Sequence, residues 1–137
     1  MSKTANNMTA LYCRTAWNSD IAIEVQKQML LHYAQDQGLG TDEVAFFIDD
    51  GFSGLTLDRP ELQRVLAGIC AGEIGGVVAK DLPRYGRDWL AVYELARELR
   101  EQFDVKLLTV QDGDFYEGQR PIVDALLHAA LEGGVRR

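Results

Sequence analysis

VAFFIDDGFSGLTLDRPELQRVLAGICAGEIGGVVAK, residues 44–80, decides the fold. Its first five residues are a short apolar run that reads as a buried strand, closed by the turn signal Asp49-Asp50-Gly51. Pro60 follows, a residue tolerated in the first turn of a helix, with Asp58 as the expected cap. Leu62, Val65, Leu66 and Ile69 then recur at helical spacing. The chain returns to strand at Gly75-Gly76-Val77-Val78-Ala79 and ends it at Lys80. Strand, helix and strand in succession form the unit of a parallel sheet with a right-handed crossover.

The same alternation extends both ways. Upstream, residues 9–14 (TALYCR) predict a first strand. Ile21, Val25, Met29 and Tyr33, with Ala22 and Leu30 beside them, predict an amphipathic helix. Asn18, Ser19 or Asp20 can cap its start, and Gly38 suits its end. Downstream, a helix from about Arg87 to Gln102 has Leu90, Tyr93, Leu95, Leu99 and Phe103 among its apolar positions. Residues 105–110 (VKLLTV) predict a fourth strand, and residues 121–131 a last helix ending at Gly133-Gly134. The expected fold is α/β and three-layered, a mostly parallel sheet of four or five strands flanked by helices.

The 137 residues make about one domain, and 47% apolar content supplies a core. No apolar stretch predicts a transmembrane helix, and MSKTANNMTA lacks a signal-peptide pattern, so a cytoplasmic protein without membrane contact is expected. Cys13 and Cys70 make neither a disulfide framework nor a zinc-ligand spacing and read as buried small hydrophobes. His32 and His128 lie in helices without partners at ligand spacing. Asp49, Asp50, Asp112 and Asp114 could form a Mg²⁺ site, but turn chemistry explains them more simply; no metal or other cofactor is expected.

A net charge of −7 opposes unaided binding of nucleic acid. Its distribution is uneven. Residues 1–57 hold three basic and seven acidic residues, residues 58–90 five of each, and residues 91–137 six and nine. In an open α/β sheet, sites gather beyond the carboxyl ends of the strands. Three such loops here would bring Arg14, Arg59, Arg84 and Arg87 together. A cluster of guanidinium groups suits phosphate, although separate surface ion pairs account for the same spacing equally well. Trp17 and Trp89 sit near these loops, as interface anchors or as parts of the core.

Three blocks resemble serine site-specific recombinases, the resolvase/invertase family. Tyr12-Cys13-Arg14 and a helix containing Gln26 resemble the family's opening. Asp50-Gly51-Phe52-Ser53-Gly54 with Asp58-Arg59-Pro60-Glu61-Leu62 resembles its second motif. Gly72-Glu73 leading to Lys80-Asp81-Leu82-Pro83-Arg84-Tyr85-Gly86-Arg87 resembles its third, which ends in an R-x-x-R pair. The blocks occur in order across residues 11–88.

The resemblance implies cleavage and rejoining of DNA without metal or nucleotide cofactor, through a serine that forms a 5′-phosphoserine link. Arg14, Arg59, Arg84 and Arg87 match the arginines that stabilise the phosphate. Tyr12, Gln26, Asp50, Ser53 and Lys80 match supporting positions. Ala16 occupies the nucleophile position, and a methyl group cannot attack phosphorus. Pro83 replaces a residue that is often polar. Ser19 is a displaced nucleophile or a helix cap, with Ser53 a weaker substitute.

The expected reading is a DNA recombinase by descent; the alternative is a catalytically inert DNA-associated or oligomerising relative. A receiver-like signalling domain would want an acidic pair after the first strand, where this chain has Cys13-Arg14. Family members continue into an oligomerisation helix and a DNA-binding domain, so the resemblance reads residues 1–137 as a catalytic-domain fragment or, as the alternative, a naturally short relative. DNA contact mainly through further sequence, and a homodimer or tetramer of the full-length protein, are the expected partnerships. Arg136-Arg137 would begin the connection or form a frayed tail.

Overall fold

The apolar runs become strands of a five-stranded sheet in the computed structural model, which describes residues 8–39 and 43–134. In chain order the elements are β1 (Met8–Thr15), α1 (Asp20–Gln37), β2 (Val44–Asp50), α2 (Pro60–Cys70) and β3 (Ile74–Ala79). They continue with α3 (Leu82–Tyr85), α4 (Trp89–Phe103), β4 (Lys106–Thr109), β5 (Gly113–Asp114) and α5 (Phe115–Ala129). A π-helical turn, Ala130–Gly134, follows α5. The strand order is β2-β1-β3-β4-β5. The first four are parallel, and the two-residue β5 joins antiparallel to β4.

Both faces of the sheet are covered, which is why its central strands read as continuous apolar runs. On one face Tyr12, Val77 and Leu107 pack with Leu62 and Ile69 of α2, Val92 and Leu99 of α4, and Phe115 of α5. On the other, Leu11, Cys13 and Val78 meet Ile23, Leu30 and Ala34 of α1. Alternation along β1 sends Tyr12 to one layer and its neighbours Leu11 and Cys13 to the other.

The structure corrects several details. In α1 the row Ile23, Gln26, Leu30 and Ala34 is buried, whereas Ile21 is 79% and Val25 51% exposed. Both rows satisfy a helical period, and only packing against β1 chooses between them. Asp49 and Asp50 belong to β2, so the turn begins at Gly51. Arg59, not Asp58, holds the N-cap position of α2 and supplies no side-chain bond there. α4 begins at Trp89, capped by the Asp88 carboxylate, which leaves Arg87 in a loop. Leu90 is exposed and Val92 takes its place in the core. α5 begins six residues earlier than expected because Asp114 caps it by accepting from the Glu117 amide, and Pro121 lies inside it. Arg136 and Arg137 fall outside the described residues.

The cysteines divide. Cys13 is buried and its thiol is pushed up to about 12, chiefly by desolvation. Cys70, expected to be buried, is exposed as the last residue of α2. Burial thus keeps the Cys13 thiol both protonated and out of reach of a reagent at pH 8. A disulfide exchange reagent should label one thiol rapidly in the native protein and both after unfolding. Rapid labelling of two native thiols would contradict the buried placement.

Candidate functional site

The chain passes from β1 outward to β2, then crosses to β3 on the other side of β1. Such a reversal opens a crevice beyond the carboxyl ends of the two central strands. Pairing of β1 with β3 runs only from Met8 to Leu11, which frees that edge of β1 beyond it. Gln26 of α1 occupies the edge instead. Its Oε1 accepts from the Arg14 amide at 3.1 Å, and its Nε2 donates to the Arg14 carbonyl at 3.0 Å. A primary amide can do both at once, and this explains a glutamine on the buried face of α1.

Arg14 reaches across the crevice into the turn after β3. Its Nε donates to the Arg84 carbonyl at 3.1 Å, Nη1 to the Phe52 carbonyl at 2.8 Å, and Nη2 to the Pro83 carbonyl at 2.7 Å. Arg59, 2% exposed, grips the same turn from α2. It donates to the carbonyls of Thr56 and Arg84, each at 2.9 Å, to the Tyr85 carbonyl, and to the Tyr12 hydroxyl at 2.9 Å. The rigid five-donor fork of arginine suits this sharing of acceptors.

Asp49 is the acidic centre of the arrangement. Its buried carboxylate accepts from the Tyr12 hydroxyl at 2.7 Å and from the amides of Glu61 and Leu62 at 2.9 and 3.0 Å. It therefore takes the capping role expected of Asp58, with the N-terminal dipole of α2 favouring its charge. The Tyr12 hydroxyl is held well above the usual phenol range, first by burial and then by its bond to Asp49. Asp49 had only a turn or metal role in the sequence; its place opposite Arg14 in the β1–β2 register is a signal that needed the pairing.

Asp50 organises the neighbouring loop. One carboxylate oxygen contacts the Thr15 hydroxyl and accepts from the Ser19 amide at 3.1 Å. Ser19 Oγ accepts from the Ala22 amide at 3.2 Å, so its hydroxyl is the cap of α1. Ser53 Oγ accepts from the Leu55 amide on an exposed loop. Neither serine lies at the end of β1, where Ala16 is exposed.

The remaining arginines stand nearby. Arg84 Nε lies 3.6 Å from Asp81 Oδ1, and neither atom has a hydrogen-bond partner among the described residues. Arg87 is exposed, and its amide donates to the Gly54 carbonyl at 2.9 Å. Burial is the main influence lowering the Arg14 pKa, with the charges of Arg59, Arg84 and Arg87 adding to it. Arg14 and Arg59 share the Arg84 carbonyl, and Arg14 Nη2 and Arg87 Cγ both flank Gly54, whereas Lys80 forms no ion pair among the described residues. Arg14, Ala16, Trp17, Ser19, Gln26 and Arg84 help line an open depression of about 310 Å³. An anion entering it meets positive charge in a partly desolvated setting, where electrostatic attraction exceeds that in water.

Among the described residues, no group of three or more His, Cys, Asp or Glu is placed to hold a metal ion. Asp112 bonds to Thr109, and Asp114 caps α5 and pairs with Arg100. His32 and His128 face Asp36 and Glu132. Nor is any described helix long and apolar enough to cross a membrane.

The family model "Resolvase, N terminal domain" matches residues 9–133. The chain belongs to the resolvase N-terminal domain family. Solved structures share the fold of this resolvase-family domain. The N-terminal catalytic domain of TP901-1 integrase has a TM-score of 0.75 and 21% identity, over 91% of this chain and 97% of that one. The C-terminal catalytic domain of ISC1926 TnpA, an IS607-like serine recombinase, gives 0.66 and 21%, over 95% and 88%. A resolvase family site-specific recombinase from Streptococcus pneumoniae gives 0.65 and 20%, over 94% and 96%. Among curated proteins no significant match is found.

Proposed function

We propose that this resolvase-family domain serves site-specific DNA recombination and holds a backbone phosphate among Arg14, Arg59, Arg84 and Arg87, without forming a covalent link. Arg84 and Arg87 meet the phosphate directly. Arg14 and Arg59 add charge and hold the turn that carries the other two. Tyr12, Gln26 and Asp50 support this framework, with Lys80 and Ser53 at its edge. The observation that carries the reading is Ala16 in the same depression as Arg14 and Arg84. Ala16 takes the nucleophile position, and the Ser19 oxygen accepts the capping bond of α1.

The full-length protein contacts DNA mainly through further sequence and works as a homodimer or tetramer. Support for association comes from α5, where Ile122, Leu126 and Leu127 are exposed. Contiguous apolar surface of this kind marks an interaction site.

The chain fused to a sequence-specific DNA-binding module is incubated with DNA carrying its site, then resolved under denaturing conditions. The native chain should shift the DNA in a native gel and yield no covalent adduct. Ala16→Ser should yield one: the serine oxygen bonds to phosphorus, the P–O3′ bond breaks, and the 3′ oxygen leaves as a hydroxyl. An adduct with the native chain would overturn the non-covalent reading. A silent Ala16→Ser that still shifts the DNA would overturn Ala16 as the nucleophile position.

A further inference from the structure

We propose that Asp81 is a positioning residue for Arg84: its carboxylate steadies the Nε edge of the guanidinium, so that the outer nitrogens face a phosphate in the depression beyond β1. The inference rests on the phosphate-pocket reading above and adds the residue that aims the arginine.

Asp81 holds the N-cap position of α3, where an aspartate ordinarily accepts an amide of the first turn. Its side chain makes no such bond. Oδ1 instead stands 3.6 Å from Arg84 Nε, and the two side chains are only 20% and 24% exposed. Both atoms are screened from solvent, and neither has a hydrogen-bond partner among the described residues. The Asp81 carbonyl accepts the Arg84 amide at 3.2 Å, which keeps the two residues one turn apart. Arg84 helps line the depression with Arg14 and Ala16, whereas Asp81 is absent from its wall. A phosphate there meets the arginine and not the carboxylate.

The neighbouring arginines are fixed in another way. Arg14 is held by three backbone carbonyls, and Arg59 by carbonyls and the Tyr12 hydroxyl. Arg84 has one ion pair among the described residues, the one with Asp81. A free arginine side chain loses rotamer freedom when it binds, and that loss subtracts from affinity. A guanidinium has donors on more than one edge, so a carboxylate at Nε limits the rotamers and leaves the outer nitrogens for an anion. By charge alone, a carboxylate this close would oppose an anion. Aiming and bare charge therefore predict opposite effects of removing it.

A short abasic phosphodiester is titrated by calorimetry into the native chain, Asp81→Asn, Asp81→Glu, Arg84→Ala and the double variant. Salt of about 0.15 M screens exposed charges beyond about 8 Å. Asp81→Asn should weaken binding about 2- to 12-fold, the cost of ordering one long side chain, although it removes a negative charge. Asp81→Glu keeps the carboxylate and should recover part of the loss. Arg84→Ala should also weaken binding, and Asp81→Asn added to it should change nothing more, because no guanidinium is left to aim. Unchanged or tighter binding by Asp81→Asn, with Arg84→Ala weakened, would overturn the aiming role and leave the phosphate pocket standing. An equal loss from Asp81→Asn with and without Arg84 would mark a structural effect on the turn, and the proposal fails. No binding by the native chain, or binding indifferent to Arg84→Ala, would overturn the pocket and the proposal together. A second measurement needs no variant: the native Arg84 Nε–H should give an ordered nuclear magnetic resonance signal before ligand is added, and a motionally averaged one would refute the aiming.

Discussion

Arg59→Ala is expected to lower the folding free energy by about 3–5 kcal/mol, the cost of removing one member from a buried charged network. Arg59 is among the largest fully buried side chains and its donors serve four acceptors. Alanine leaves the Tyr85 carbonyl without this donor and removes the cation whose hydrogen bond passes through Tyr12 to Asp49. It also opens a cavity between α2 and the turn after β3. Against a typical domain stability of about 5–15 kcal/mol, that is a fifth or more. Urea unfolding should show a lower midpoint at an unchanged slope. Arg59→Lys should recover little, since an ammonium is a point donor and cannot span the four acceptors. A loss below about 1 kcal/mol would mean that the turn is held by other contacts.

Gly54→Ala is expected to damage both stability and phosphate binding. A Cβ on Gly54 would lie 2.7 Å from Arg14 Nη2 and 3.0 Å from Arg87 Cγ. Arg87 is exposed and can swing away. Arg14 cannot move without loosening its bonds to the Pro83, Phe52 and Arg84 carbonyls. Overpacking of this kind costs about 1–3 kcal/mol. Binding of a short abasic phosphodiester should fall about tenfold or more, because the displaced Arg87 contact is charge-assisted and worth about 1.5–3 kcal/mol. Calorimetric titration alongside a thermal melt checks both. Unchanged affinity at full stability would show that Gly54 does not set the spacing of the arginines.

The α/β class, the parallel core strands and the helix α2 were legible in residues 44–80, because a strand buried on both faces and an amphipathic helix leave different periods. Pro60 and Gly38 marked helix ends for the same local reason: a ring that suits the first turn, and a φ of +66° that glycine adopts readily. The loop assignment left the arginines two readings, a cluster or separate surface ion pairs. What remained hidden was every choice between locally equivalent options. Ile21-Val25-Met29 and Ile23-Gln26-Leu30 are both helical rows, and the second is buried because it packs on β1, where Gln26 also meets the Arg14 backbone beyond the end of the β3 pairing. Asp49 outranks Asp58 as the cap of α2 because strand pairing points its carboxylate at the helix start. Local sequence thus determined which elements form and which charges they carry. Only tertiary structure decided which donor meets which acceptor, since that depends on distances between residues tens of positions apart.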